Sequence, residues 1–191
     1  MTSTTSGGRP SAARARLLAT ASQVFYAEGI HAVGVDRIIA AARVTRATMY
    51  RHFPGKEDLV LAYLTEADIA LRSRLDAAVA AGQPVTATLR AVAGQIAADI
   101  RSPGFRGCVF LNAVTEYPDP AHPAHRAVLS HRQWFLDTVT GLLAQVPVAS
   151  AEPAGRHFVM LRDGAMAAGC LVDPVLVGET FLNGIDGILR G

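Results

Sequence analysis

The chain has 191 residues, enough for one large domain or for a small domain joined to a medium-sized one. Half of the residues are hydrophobic but only 6% are aromatic, which suits close helix packing better than a β-sandwich. The formal net charge is +2, and the two cysteines, Cys108 and Cys170, lie too far apart to match a metal-ligand spacing or a disulfide framework.

The N-terminal segment is polar and lacks the apolar core of a signal peptide. Its Ser, Thr and Gly content predicts a disordered tail over residues 1–10. No stretch reaches the roughly 18 uninterrupted apolar residues that a membrane span needs. We therefore expect a cytoplasmic protein with no membrane partner. The heavy use of Ala and Arg, with Lys56 as the one lysine, is typical of a bacterial genome rich in G and C.

Basic residues concentrate at the N-terminal end of the chain. Residues 1–60 contain eight Lys or Arg and four Asp or Glu, whereas residues 61–191 are slightly acidic. This distribution is typical of a module that binds a polyanion, although chance clustering in an Arg-rich chain would give the same pattern.

Apolar residues recur at spacings of three and four throughout the chain, and no segment alternates as a strand would. Gly29, Pro54-Gly55 and Ser102-Pro103-Gly104 separate the helical segments. The pattern predicts an all-α protein with helices at about 11–28, 35–42, 45–53, 56–81, 85–101, 108–116, 125–145, 154–171 and 174–190, with a loop at 147–153.

The segment from Val33 to Leu59 contains two short helices joined by a tight turn at Arg43-Val44, the pattern of a helix-turn-helix. On the second helix, Met49 and Phe53 lie one turn apart and are predicted to face the core. The opposite side would enter the major groove of DNA. The candidate residues for contacts with DNA bases or phosphates are Arg37, Thr45, Arg46, Ala47, Thr48, Tyr50, Arg51, His52 and Lys56.

Most of these candidates have a plainer interpretation. Tyr50 and His52 would serve as packing residues, and Lys56 and Arg37 as solvated charges. Thr45 is first a helix cap, because its hydroxyl accepts hydrogen bonds from free backbone amides.

Residues 11–60 resemble the DNA-binding domain of the tetracycline-repressor (TetR) family. The resemblance depends on residues in three segments. They are Phe25 and Gly29 at the end of the first predicted helix, the run Val35-Asp36-Arg37-Ile38 in the second, and a group between residues 42 and 59: Ala42, Val44-Thr45, Thr48-Met49-Tyr50, His52-Phe53 and Lys56-Glu57-Asp58-Leu59. The chain departs from the family at Ile39, Arg43 and Ala47. Arg43 stands where the family usually has Gly in the turn, so a left-handed backbone there would cost roughly 1 kcal/mol.

The resemblance implies a helix-turn-helix domain at 11–55 and a helical effector-binding and dimerisation domain at 56–191. It implies a transcriptional repressor that binds a palindromic double-stranded operator as a homodimer. A small-molecule effector would release the repressor from the operator. The resemblance implies no cofactor and no enzymatic activity. Activation in place of repression stays open, as do the operator, the regulated genes and the effector.

In the second domain, small and apolar residues on the last two helices predict a dimer interface: Gly164, Ala165, Ala168, Gly169, Phe181, Gly184, Ile185 and Ile188. An effector pocket, hydrophobic or mixed, is predicted among the middle helices. Its candidate residues are Cys108, Phe110, Asn112, Glu116, His131, Trp134, Phe135, Phe158 and Met160. The aromatic residues and Met160 lie at helical spacing, and such residues more often belong to an ordinary core than to a pocket.

A few residues also suggest other functions. Cys108 near Arg106 and a helix start suggests a redox sensor, but a small buried hydrophobe is the simpler interpretation, and Cys170 is predicted to lie in the core. A thiol or metal enzyme using Cys108 or the His122/His125 region lacks a recognisable catalytic arrangement, and no metal site is predicted from Glu116, Asp119 and these histidines. A helical scaffold that binds protein instead of DNA is the other alternative.

Overall fold

The computed structural model describes residues 11–148 and 150–191, and these residues form nine α-helices and no strand. The predicted tail at 1–10 lies outside the described residues. The helices are α1 (Ala12–Glu28), α2 (Val35–Ala42), α3 (Arg46–His52), α4 (Lys56–Ala80), α5 (Val85–Ile100), α6 (Val109–Glu116), α7 (Pro123–Leu143), α8 (Ala151–Ala168) and α9 (Pro174–Arg190). The all-α prediction is confirmed. None of the described helices is long and apolar enough to cross a membrane.

The chain divides into two compact units, and the division falls within α4, between Tyr63 and Leu64. In the first unit, α1, α2 and α3 all pack on one another. Their shared core contains Leu17, Phe25, Ile38 and Met49, each at most 2% exposed. This core fixes the direction in which the free side of α3 points.

Local signals in the sequence set the ends of these short helices. Ser11 caps α1 by accepting from the Arg14 amide, and Thr45 caps α3 by accepting from the Thr48 amide. Gly29 ends α1 with φ of 93°, and Arg43 ends α2 with φ of 52° and ψ of 51°. Arg43 therefore adopts the left-handed turn conformation that its place in the sequence predicted.

In the second unit, α8 packs on both α7 and α9, and α9 also packs on α5. Phe158 of α8 lies at the centre, with its ring centroid 6.2 Å from that of Phe135 and 6.3 Å from that of Phe181. Phe158 and Ile185 are at most 1% exposed, so aromatic and aliphatic side chains from three helices form one core.

Three local predictions were wrong in this unit. Helix α8 begins at Ala151 and not after the predicted loop at 147–153, because Pro153 fits the first turn, where its missing N–H has no intrahelical partner to lose. Helix α7 begins at Pro123 for the same reason, with His122 as its cap. Cys170, predicted to be core, is exposed, because α8 ends at Ala168.

Candidate DNA-binding surface and effector cavity

Helix α3 has a buried side and an open side. Met49 and the following Phe53 are 0% and 2% exposed, whereas Tyr50 is 44% exposed. All nine predicted DNA contacts lie outside the core: Arg37, Thr45, Arg46, Ala47, Tyr50 and Arg51 are exposed, and Thr48, His52 and Lys56 are half-buried. The core therefore anchors a short helix whose other side is available to a partner.

The basic side chains on this surface have weak partners. Arg46 forms an ion pair with Asp36, and Arg37 forms one with Glu28 at 2.9 Å. Exposed ion pairs of this kind contribute only about 0–1 kcal/mol, so both guanidiniums can exchange a carboxylate for phosphate or a base at small cost. Lys56 Nζ donates to the His31 carbonyl at 3.4 Å, which holds the amine near the start of α4.

Two contacts on this surface were not predicted from the sequence. The guanidinium carbon of Arg14 lies 5.0 Å from the centroid of the Phe53 ring, and Ser11 Oγ lies 3.0 Å from Nε2 of His52. Both bring the start of α1 to the end of α3. The spacing along the chain gives no sign of them, because the partners are about forty residues apart.

The second unit contains a cavity of about 330 Å³, at the small end of the range of about 300–1,000 Å³ for ligand sites. Helices α4, α5, α7 and α8 form its walls. Most of the lining is apolar, including Leu71, Leu75, Val92, Ile96, Trp134 and Phe135.

Four charged or titratable side chains interrupt the apolar lining: Arg74, Asp99, His131 and Arg162. Arg74 and Asp99 form an ion pair at 3.0 Å, and Gln95 donates to the same carboxylate at 3.0 Å. The ion pair joins the α4 wall to the α5 wall.

Arg162 is the most buried cation described in the structure, with its side chain only 7% exposed. Its guanidinium donates to Asp163 at 2.9 Å and to the sulfur of Cys108 at 3.3 Å. Burial opposes its charge, but Cys108 and Asp163 outweigh that effect and raise the pKa of Arg162. The guanidinium therefore stays charged inside the apolar wall.

His131 lies 2% exposed on the α7 wall, and its Nδ1 is 2.7 Å from a carboxylate oxygen of Asp68. Burial raises the pKa of Asp68, but hydrogen bonds from Arg72 and His131 outweigh it, and the pKa falls below its usual value. Burial lowers the pKa of His131, and the opposing effect of Asp68 does not reverse this. His131 is therefore neutral near pH 7, and it donates from Nδ1 to an ionised carboxylate.

The sequence matches the family model described as bacterial regulatory proteins of the tetR family over residues 17–63. A structure of SCO4454, a TetR-family transcriptional regulator from Streptomyces coelicolor, is 67% identical to this chain. The alignment covers 93% of this chain and 94% of that one, with a TM-score of 0.91. The chain belongs to the TetR family.

Two other proteins are similar to this chain over a short segment or at low sequence identity. The transcriptional activator FasR of Mycolicibacterium smegmatis is 45% identical over 51 residues, which cover 27% of this chain but only 23% of FasR. A putative TetR regulator from Streptomyces avermitilis is 24% identical with a TM-score of 0.78, covering 93% of this chain and 98% of that one, and it shows the shared fold alone. Family membership makes this chain a DNA-binding transcriptional regulator, as the helix-turn-helix predicted.

In this TetR-family regulator, three predicted pocket residues, His131, Trp134 and Phe135, line the cavity. The others lie elsewhere. Phe110 stacks behind His131 with ring centroids 3.6 Å apart, and Phe158 is fully buried in the core. Met160 is 69% exposed on the opposite side of α8, where it lines a groove with α9.

The remaining pocket candidates are also outside the lining. Cys108 is buried against Arg162, and Asn112 donates to the Arg106 carbonyl at 2.8 Å, while Glu116 is half-buried on α6. Four polar residues of the lining were not predicted from the sequence: Arg74, Gln95, Asp99 and Arg162. Their helices are amphipathic in sequence, but the sequence of a single helix does not show that its inner face lines a cavity between helices. Among the described residues, no group of three or more His, Cys, Asp or Glu side chains is arranged to hold a metal ion.

The groove between α8 and α9 is strongly apolar and open. Leu161, Val172 and Leu176 are 39%, 57% and 58% exposed. Of the predicted interface residues, Gly164, Ala165, Ala168, Phe181 and Ile188 line it. Gly169 and Ile185 do not.

These two residues face the interior of the second unit. A Cβ at Gly169 would lie 2.6 Å from Cγ2 of Ile100, and Ile185 is 1% exposed. Gly184 packs on Leu161, since a Cβ there would lie 3.0 Å from Cδ1 of that leucine. The exposed positions Leu161, Val172 and Leu176 were not predicted.

Proposed function

We propose that the chain is a homodimeric repressor that binds a palindromic operator through α3 and leaves it when a small molecule fills the cavity of the second unit. The observation that carries this proposal is the open side of α3, which presents exposed Arg46, Ala47 and Tyr50 while Met49 and Phe53 lock the other side in the core. The proposal includes no enzymatic activity and places the protein in the cytoplasm with the chromosome.

The DNA contacts divide into two kinds. Arg46 and Thr48, near the N-terminal end of α3, suit base edges: Arg46 pairs with guanine, and Thr48 touches a base or phosphate. Tyr50, His52 and Lys56 suit phosphates, as do Arg37 and Arg51. Thr45 positions α3 as its cap, and Ala47 allows close approach to the groove.

The open groove of α8 and α9 supports dimerisation. Large apolar side chains exposed together on two neighbouring helices mark an interaction surface, and a twofold dimer can cover the same patch on both copies. Two recognition helices on one twofold axis then require an operator of matching symmetry.

Helix α4 supports the proposed coupling. Its first residues contribute Leu59 to the core of the first unit, and its later residues, including Leu71 and Leu75, line the cavity. A ligand that moves the cavity wall therefore acts on a helix that also belongs to the DNA-binding unit. A coupling free energy of about 1–3 kcal/mol changes operator affinity by about 5–150-fold.

A salt titration on the operator tests the DNA contacts, once footprinting has identified the site. Lys56→Ala should weaken binding to all sequences and reduce the slope of log K against log salt by about 1 for each lost phosphate contact. Tyr50→Ala should also weaken binding, while folding and dimerisation stay as in the parent.

Arg156→Ala is the matched control, because Arg156 is an exposed cation of the second unit, on α8. It should leave affinity and slope unchanged. Parent-like affinity in both the Lys56 and the Tyr50 variants would contradict the contact assignment.

A further inference from the structure

Among the described residues that line the cavity, His131 has a ring nitrogen without a hydrogen-bond partner. His131 uses Nδ1 for Asp68, and its Nε2 has no hydrogen bond to the part of the chain that the structure describes. In that same part, no side-chain N or O atom is both sealed from solvent and without a partner. Nε2 must therefore be reachable from open space, and the cavity is open space that His131 lines.

The surroundings of His131 fix the role of this atom. Because the Asp68 carboxylate accepts from Nδ1, the neutral ring has its proton there, and Nε2 presents a lone pair. The Phe110 ring stacks on the imidazole with an interplanar angle of 7°, and Arg72 holds Asp68 at 2.7 Å. The acceptor is therefore held in one orientation before any ligand arrives.

The charges of the lining are already paired. Arg74 is bound to Asp99, and Arg162 is bound to Asp163. A carboxylate ligand would compete with Asp99 or Asp163 for a guanidinium whose charge is already balanced, and an ammonium ligand would meet no free carboxylate in the lining. The aromatic and aliphatic walls instead suit an uncharged apolar body.

We propose that the effector is a neutral, mainly apolar molecule that donates one hydrogen bond, from a hydroxyl or N–H, to Nε2 of His131. This inference rests on the proposed function, in which the cavity is the effector site. Asp68 is a positioning residue in this arrangement, because it sets the tautomer of His131 without touching the ligand.

Three probes of similar shape separate the possibilities in calorimetric titrations of the full chain at pH 7 without DNA. 2-Naphthol has a hydroxyl donor, 2-methoxynaphthalene has lost it, and 2-naphthoate is an anion. A net hydrogen bond predicts that naphthol binds about 3–10-fold more tightly than the methyl ether. Tighter binding of naphthoate, equal binding of the ether, or no binding of any probe would overturn the inference.

The variant His131→Phe keeps a ring beside Phe110 but removes the acceptor, so the preference for naphthol over its ether should disappear. His31→Phe, in the exposed turn between α1 and α2, should keep it. If the His131 variant does not fold, nitrogen NMR of the parent gives the same information. Naphthol should shift the Nε2 resonance of His131 and the ether should not; no shift with naphthol would overturn the inference.

An operator-release assay with the same probes separates this inference from the function on which it rests. If naphthol binds with the expected preference but operator affinity is unchanged, the ligand class stands and the release mechanism fails. If naphthol and its ether bind equally and both release the operator, the release mechanism stands and the role of His131 fails.

Discussion

At the scale of single residues, the clearest departure from local preference is Arg43. Its φ of 52° is left-handed, a conformation in which a Cβ costs energy that glycine avoids. The residue lies in the turn that connects α2 to α3. The packing of these helices therefore holds Arg43 in a strained backbone conformation that the helix-turn-helix requires.

Arg43→Gly should therefore raise the free energy of unfolding of the chain by about 1 kcal/mol, measured by urea denaturation. Arg43→Ala is the matched control: it removes the same charged side chain but keeps a Cβ, so it should stay near the parent. An equal gain in both variants would show that the charge, and not the backbone, is the source of the strain.

At the scale of elements, α7 and α8 are in close contact at Gly155. A Cβ there would lie 2.1 Å from Oγ1 and 3.2 Å from Cβ of Thr140, so the two helices would have to separate or Thr140 would have to move. Gly155→Ala should lower the free energy of unfolding by about 1–3 kcal/mol, since overpacking a fitted contact displaces its neighbours.

Gly141→Ala on α7 provides the comparison, because no atom lies within 4 Å of a Cβ built there. This change should raise the free energy of unfolding by about 0.5–1 kcal/mol, as alanine is the better helix former. Thermal unfolding of both variants checks the pair. A stabilised Gly155 variant would show that α7 and α8 do not need this close approach.

The pair of Asp68 on α4 and His131 on α7 makes stability depend on pH. Both pKa values are lowered in the folded protein, so the unfolded chain takes up protons more readily. The free energy of unfolding should therefore fall as the pH drops below 6.5, through His131, and fall further near and below 3.8, through Asp68.

Urea midpoints at pH 7.5 and 5.5 measure the contribution of the histidine. His131→Phe should flatten the dependence over this interval. A slope of unchanged size in the His131 variant would assign the effect to another group.

The elements themselves were largely predictable from the sequence, because helix caps and breaks are local. Thr45, Gly29 and Pro174 fixed ends that the structure confirms within a residue or two. Proline was the main source of error. The sequence predicts loops at Pro153 and Pro123, although both residues also fit the first turn of a helix, and only tertiary packing chooses between these roles.

At the scale of the whole molecule, the sequence predicted the open side of α3 but only three residues of the cavity lining, His131, Trp134 and Phe135. The first depends on the period of one helix, and the second depends on how four helices leave space between them. Met160 shows the limit: its spacing on α8 was compatible with a pocket, yet it lies on the side of the α8–α9 groove. The burial of a charged residue such as Arg162 is equally hard to predict from the sequence, because its partners, Asp163 and Cys108, are identified only in the folded structure.

A further prediction concerns the self-association of the chain through the α8–α9 groove. Leu176→Arg places a charge in the open α8–α9 groove, and self-association measured by sedimentation equilibrium should weaken by at least about 10-fold, with operator affinity falling as well. Leu129→Arg on α7 is the control, since Leu129 is similarly exposed at 49% and does not line the groove. Unchanged association of the Leu176 variant would place the dimer interface on another surface.

The composition of the cavity wall has a practical consequence. Trp134 is the single tryptophan of the sequence, and it lines the cavity with the Arg72 guanidinium 4.2 Å from its ring centroid. Indole emission from the native protein therefore comes from one position, beside the proposed ligand. Fluorescence intensity and wavelength should report occupancy directly, with no attached label, and would allow effector libraries to be screened on unmodified protein.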